Sequence, residues 1–267
     1  MEDYKKLIRQ TFDTVSKGYD NNNLRFFKTS SVSMLDFAEL KGAESLIDVA
    51  AGTGNVAIEA AQRLKKGKVH ATDLSEKMLE IIKEKSLKNS INNITFELND
   101  LESLSHHASF DVATCAFGIF FIADMLNGLK IIKNNLKKGG KILLTTFNEN
   151  FLYPLSSLFY ERLESNGIPK NPTPWELINT PDKTINFMQQ AGFKDIEIKR
   201  EQHGYFLKDA NAWWDVIWNA GMRRAVQMLP DDKKEDFIKN HLEEIQQLST
   251  KKGIWMEVEV IFAKGVS

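Results

Sequence analysis

The chain has 267 residues, 42% of them hydrophobic, so it can bury a sizeable core and is not a disordered segment. Thirty-five basic against 36 acidic side chains leave a net charge of −1, which excludes the basic footprint of a duplex-DNA binder. The single cysteine, Cys115, rules out an internal disulfide, and no Cys/His set has zinc spacing, so no metal is expected.

In chain order, residues 3–17 form the first predicted helix, with Tyr4, Ile8, Phe12 (or Thr11) and Val15 on one face. The start MEDYKKLIRQ is charged and carries no apolar leader core, and a cytoplasmic location is expected. Three asparagines in Tyr19–Phe27 break the helix, and a second follows near 31–40. From there strands and helices alternate. Strands are predicted at 45–50, 68–73, 94–100, 110–117 and 141–147. Helices are predicted at 55–66, 75–86 (capped by Ser75) and 125–136, with KKGG (137–140) as a turn. This alternation demands crossover connections, hence an α/β fold with a parallel sheet and helices on both faces. Ligands of such sheets sit at the C-terminal ends of the strands. No stretch is long and apolar enough to span a bilayer as a helix.

Beyond 147 the pattern loosens. Residues 148–180 hold four prolines and a helix around 155–164. A helix at 184–191, a strand at 193–199, a helical region at 208–250 punctuated by Pro230, and an alternating strand at 254–265 complete the chain. All five tryptophans lie between Trp175 and Trp255.

The stretch LIDVAAGTGNVAIEAA, 46–61, carries the chemistry. Gly52 and Gly54 permit a thin turn whose bare N–H groups and following helix favour an anionic group. Asp73 ends the next strand, where a carboxylate can accept from both hydroxyls of a ribose. Residues 52–57 also match the G-x-G-x-x-G/A dinucleotide pattern, so an NAD(P)-dependent oxidoreductase is one alternative. Three features favour another ligand. Asp48, four residues ahead of Gly52, repels a pyrophosphate but attracts an ammonium group. Asp100 and Leu101 follow the third strand, where they can read an adenine edge. The late order of elements, KKGG before the fifth strand and an alternating strand at the end, is the third.

As a set, LIDVAAGTG (46–54), ATDLSEKML (71–79), LNDLESL (98–104), FDVATCAFG (110–118) and LKKGGKILLTTF (136–147) resemble the class I S-adenosylmethionine-dependent methyltransferases, most closely the branch of the ubiquinone/menaquinone C-methyltransferases. The resemblance covers residues 10–147 well. It implies a Rossmann-like seven-stranded sheet with an antiparallel C-terminal strand, residues 1–40 as a helical lead-in, 41–147 as the S-adenosylmethionine-binding core, and 148–180 and 203–253 as helical inserts forming a substrate cap, all within one domain. It implies that Asp48, Ala50, Gly52 and Gly54 frame the methionine moiety. Asp73 holds the ribose, with Leu74 and Met78 near the adenine, and Asp100 and Leu101 read its edge. Ala116 and Phe117 line the far wall, and Tyr19 closes from the N-terminal segment. Met78 equally fits plain helix packing, and Tyr19 an aromatic staple. Three departures stand out: Ala50 in place of a glycine, Lys138 in place of the turn proline, and Ile119-Phe120-Phe121 where quinone methyltransferases carry an Arg-Asn pair.

A small, apolar or aromatic methyl acceptor is expected, methylated at O, C or N, because the inserts bring Phe151, Tyr153, Phe159, Tyr160, Trp175, Tyr205, Phe206, Trp213, Trp214 and Trp218. His203 is a candidate base, though a lone histidine more often serves structure. A regulatory protein that binds S-adenosylmethionine without turnover remains a second alternative, and the oligomeric state stays open.

Overall fold

Strand β1 (Ser45–Val49) is buried on both faces except at its first residue, the signature of a central parallel strand covered on both sides. Its neighbours are β2 (Lys68–Asp73) and β4 (Phe110–Ala116), both parallel to it, and β3 (Ile94–Leu98) pairs with the outer side of β2. The computed structural model describes residues 2–170 and 173–267; Met1, Asn171 and Pro172, which fall in the predicted lead-in and first insert, lie outside the described residues.

The seven-stranded sheet runs β3-β2-β1-β4-β5-β9-β6. β5 (Leu136–Phe147) is parallel to β4, whereas β9 (Glu259–Val266) runs antiparallel to both β5 and β6 (Lys194–Gln202). The KKGG turn is folded into the start of β5. Phe110 pairs with Leu136 and Val112 with Lys141, so residues 137–140 bulge out of the ladder. Gly139, at φ 76°, supplies the left-handed step that the bulge requires.

Helices flank the sheet: α1 (Glu2–Val15), α2 (Phe26–Ala38), α3 (Asn55–Arg63), α4 (Glu76–Lys88), α5 (Met125–Asn135), α6 (Leu155–Ser165), α7 (Pro181–Gln190), α8 (Ala210–Trp218), α9 (Arg223–Gln227) and α10 (Asp231–Gln246). α2 begins five residues earlier than expected, because Phe26 is a buried core residue rather than part of the asparagine turn. The expected strand at 254–265 is two strands. β8 (Ile254–Met256) pairs with β7 (Tyr205–Leu207) in a separate ribbon, and β9 joins the main sheet only from Glu259.

The inserts extend the core with aromatic side chains. α10 packs on α6 and α8. The buried Trp213 indole donates to His241 Nε2 at 2.9 Å, and Phe159 meets Phe237 edge-on at 6.0 Å. Burial pushes His241 down to about 4, so it stays a neutral acceptor at pH 7.

Candidate active site

The turn after β1 bends sharply. Ala50, Gly52 and Gly54 all take positive φ, at 53°, 56° and 85°. The two glycines serve different ends. A Cβ on Gly54 would strike Ile82 Cγ1 at 2.9 Å, so this glycine lets α3 lie close against α4. A Cβ on Gly52 would meet nothing within 4 Å, because Gly52 faces an open cleft.

That cleft lies at the C-terminal ends of β1, β2, β3 and β4 and opens to solvent. Of the residues singled out in the sequence, Tyr19, Ala50, Gly52, Asp73, Leu74, Met78, Asp100, Leu101, Ala116 and Phe117 all line it. Asp73 is fixed from two sides: Oδ2 accepts the Gly52 N–H and Oδ1 the Ser75 N–H, each at 2.8 Å. Burial raises its carboxyl to about 6, against the pull of those amides. Ser75 caps α4 through the Met78 N–H at 3.2 Å and donates to Asp13 Oδ1 at 2.6 Å. Asp100 accepts the Glu102 N–H at 3.0 Å and forms an ion pair with Lys5, which also reaches Glu102.

Asp48, Gly54 and His203 are not brought to the cleft wall. Asp48, 1% exposed, sits in the sheet opposite Thr114, whose hydroxyl donates to Oδ1 at 2.7 Å. Its Oδ2 has no partner among the described residues, and burial pushes the carboxyl up to about 7. His203 follows β6; its Nδ1 lies 2.9 Å from Thr29 Oγ1 and its ring packs on Phe262. Burial pushes its imidazole below the usual range. The ring stands in the wall between β6 and α2, away from the cleft, which removes it as a base there.

The lining that sequence reasoning missed comes mostly from α1. Tyr4, Lys5, Ile8, Arg9 and Phe12 roof the cleft. The apolar face Tyr4-Ile8-Phe12 was visible as helical spacing; its target was not. Phe121 and Ile122, from the segment after β4, complete an apolar side: Phe12 meets Phe121 edge-on at 4.9 Å, and Tyr19 stacks on Phe27 at 4.7 Å. Burial raises the Tyr19 phenol well above its ordinary value. None of the insert aromatics lines the cleft among the described residues. Phe159 and Trp213 are core, Tyr205 is covered by Arg25 at 3.4 Å, and Trp214 stacks on Trp218. Phe151 and Trp175 pack on Phe147, which itself stands behind the lining residue Phe117.

The lining is mixed: Asp73, Asp100 and Gly52 bring acid and main chain, Lys5 and Arg9 bring positive charge, and Phe12, Tyr19, Phe117 and Phe121 bring aromatic surface. Asp73 already holds the Gly52 N–H, so a pyrophosphate at this turn would meet a carboxylate.

Comparison with known proteins agrees. The model of the ubiE/COQ5 methyltransferase family matches residues 1–170. A ubiquinone/menaquinone biosynthesis C-methyltransferase of Geobacter sp. (strain M21) is 32% identical over 213 residues, covering 71% of this chain and 88% of that protein. The aklanonic acid methyltransferase DauC of Streptomyces sp. (strain C5) is 28% identical over 145 residues, covering 54% of this chain and 66% of that one. Among solved structures, YcgJ of Bacillus subtilis superposes with a TM-score of 0.61 at 17% identity, over 90% of this chain and 98% of its own. A Haemonchus contortus phosphoethanolamine N-methyltransferase in complex with S-adenosylhomocysteine gives 0.55 at 18% identity, over 90% of this chain and 52% of its own. The chain belongs to the ubiE/COQ5 methyltransferase family and is an S-adenosylmethionine-dependent methyltransferase.

Proposed function

We propose that this chain transfers the methyl group of S-adenosylmethionine to a flat, largely apolar ring of the phenol or quinol type. In this reading Asp73 holds the ribose, Asp100 and Leu101 the adenine edge, and Gly52 with Ala50 the amino-acid end. Leu74 and Met78 pack near the adenine. The acceptor lies against Phe12, Tyr19, Phe117, Phe121 and Ile122. Asp48 contributes its field from behind the turn, and Gly54 contributes by packing.

The observation that carries the reading is one cleft at the strand ends whose lining includes both the Asp73 carboxylate with bare main chain and an aromatic surface. Methyl transfer is an in-line displacement at a carbon already activated by the sulfonium, so positioning and exclusion of water do much of the work. A docked α1 supplies both. The relatives named for quinone methylation and for aklanonic acid support a ring-shaped acceptor. In place of a polar Arg-Asn pair this chain has Ile119-Phe120-Phe121, with Ile119 and Phe120 buried and Phe121 on the cleft. That replacement favours an acceptor held by stacking rather than by ion pairs.

Calorimetry with S-adenosylhomocysteine and with NAD(H) tests the donor half. Micromolar binding of the former and none of the latter is expected. Asp73→Ala removes two charge-assisted hydrogen bonds to the ribose, so affinity falls by roughly a hundredfold or more. Affinity within threefold of wild type overturns the ribose assignment. Transfer of labelled methyl to a panel of phenols and quinols tests the acceptor half, and absence of any labelled product with a bound donor would leave a donor-binding protein in its place.

A further inference from the structure

The sheet edge carries a second cluster, outside the cleft. In the register of β2 and β3, His70 pairs with Thr95 and Thr72 with Glu97. Thr95 and Glu97 are two residues apart, so their side chains share one face with that of His70. The segment leading into β4 brings His106 to the same place. Its main chain is pinned by the His106 N–H to Asn135 Oδ1 bond at 2.6 Å.

Three groups converge there. His70 Nε2 and His106 Nε2 each lie 2.8 Å from the same oxygen, Glu97 Oε2. Their ligating atoms all fall within 4.8 Å of one another. The other side of each anchored group is already held: His70 Nδ1 lies 2.8 Å from Thr95 Oγ1, and Glu97 Oε1 accepts from Asn99 Nδ2 at 2.7 Å. The Thr95 hydroxyl thus holds the far side of His70, and both imidazoles turn Nε2 to one carboxylate oxygen, so three ligating atoms face a common point.

We propose that His70, Glu97 and His106 form a binding site for a divalent transition cation of the zinc class. Two imidazoles and one carboxylate make a donor set that suits zinc and its neighbours, and not calcium or magnesium, which take oxygen ligands. Bonds of about 2.0–2.2 Å at tetrahedral angles place ligand atoms roughly 3.3–3.6 Å apart, close to the present 2.8 Å contacts and inside the 4.8 Å that encloses all three atoms. Thr95 and Asn99 orient the ligands as outer partners do in metal sites. The three side chains are 18%, 34% and 33% exposed, which leaves a face open for water as the fourth ligand. The cation ties the segment between β3 and β4, which bears Asp100 and Leu101, to the edge of the sheet. Ligands separated by 27 and 9 residues match no zinc spacing in the sequence.

The test is calorimetric titration of the chelator-treated full chain with zinc, with cobalt absorption as a second probe. Wild type is expected to take up one zinc per chain with micromolar affinity or better, and to show the visible cobalt bands of a four-coordinate site. Glu97→Gln and His106→Gln lose binding. Thr95→Val weakens it by about ten- to a hundredfold. His107→Gln, at the exposed neighbouring imidazole, leaves it unchanged. Unfolding without metal checks that each variant is folded. No zinc uptake by wild type overturns the proposal, as does retained affinity in folded Glu97→Gln and His106→Gln, or a loss caused by His107→Gln alone. In the first case the cluster is a pair of imidazoles hydrogen-bonded to Glu97.

Discussion

Replacing Asp48 by Asn should stabilise the protein, and more so the higher the pH. Asp48 is 1% exposed, and one of its oxygens has no partner among the described residues. Burial lifts its carboxyl from 3.8 to about 7, with the Thr114 hydroxyl and the nearby Ala57 amide offsetting only part of the rise. The unfolded chain loses this proton near pH 4 and the folded chain near pH 7. Between those values the folded state binds more protons, so stability falls as pH rises through the window and stays low above it. A shift of about three units corresponds to about 4 kcal/mol at most. The isosteric Asn removes that cost, against about 1 kcal/mol for an amide N–H left unpaired. From pH 5 to pH 8 the advantage of Asp48→Asn over wild type should widen by about 2.5 kcal/mol. Urea unfolding of both proteins at the two pH values measures it, and Asp73 titrates in both. A stability difference equal at pH 5 and pH 8 within about 0.5 kcal/mol would refute a raised carboxyl at this position. If the proposed role of Asp48 holds, the same variant should also bind S-adenosylhomocysteine more weakly above pH 7, where wild-type Asp48 is ionised.

The same geometry carries further expected outcomes. In the proposed reading Asp73 accepts both ribose hydroxyls only as a carboxylate, so its pKa of about 6 should make S-adenosylhomocysteine bind up to about tenfold more weakly at pH 5 than at pH 8, readable by calorimetry. Gly54→Ala meets Ile82 and a left-handed backbone together and should cost about 3 kcal/mol in thermal or urea unfolding. Gly52→Ala carries only the backbone strain, about 1–2 kcal/mol, yet its methyl enters the cleft, so donor affinity should suffer more than stability. Trp213→Phe strands His241 Nε2 and leaves a void in the insert core; about 3 kcal/mol should be lost, with donor affinity unchanged. Lys5→Met breaks the pairs to Asp100 and Glu102 at a partly exposed site, so stability should drop by less than about 1 kcal/mol while S-adenosylhomocysteine dissociates several-fold faster in stopped flow.

The alternating core was legible because each strand from Ser45 to Phe147 is a short apolar run and each helix is signalled by spacing and a cap such as Ser75. Ten of the twelve residues assigned to the donor line one cleft because their roles depend on strand ends, which a motif locates directly. Asp48 and Gly54 belong to the same motif but act from within: one is paired across the sheet with Thr114, the other is packed on Ile82. Such distinctions depend on side-chain neighbours distant in sequence. The same limit hid α1 as the roof, since a Tyr4-Ile8-Phe12 face says that something is covered and not what. It also merged β8 with β9, because alternation continues through Glu257 and Val258 although the chain changes sheets there. The insert aromatics suggested an acceptor wall, but aromatic content alone does not separate Trp213, which fills a core, from Phe12, which faces the cleft.

The placement of α1 bears on how turnover is paced. With Tyr4, Lys5, Ile8, Arg9 and Phe12 overhead, this helix covers part of the cleft, so its movement would set the pace at which spent donor leaves. Acceptors of very different intrinsic reactivity would then be consumed at converging rates, each waiting on the same door.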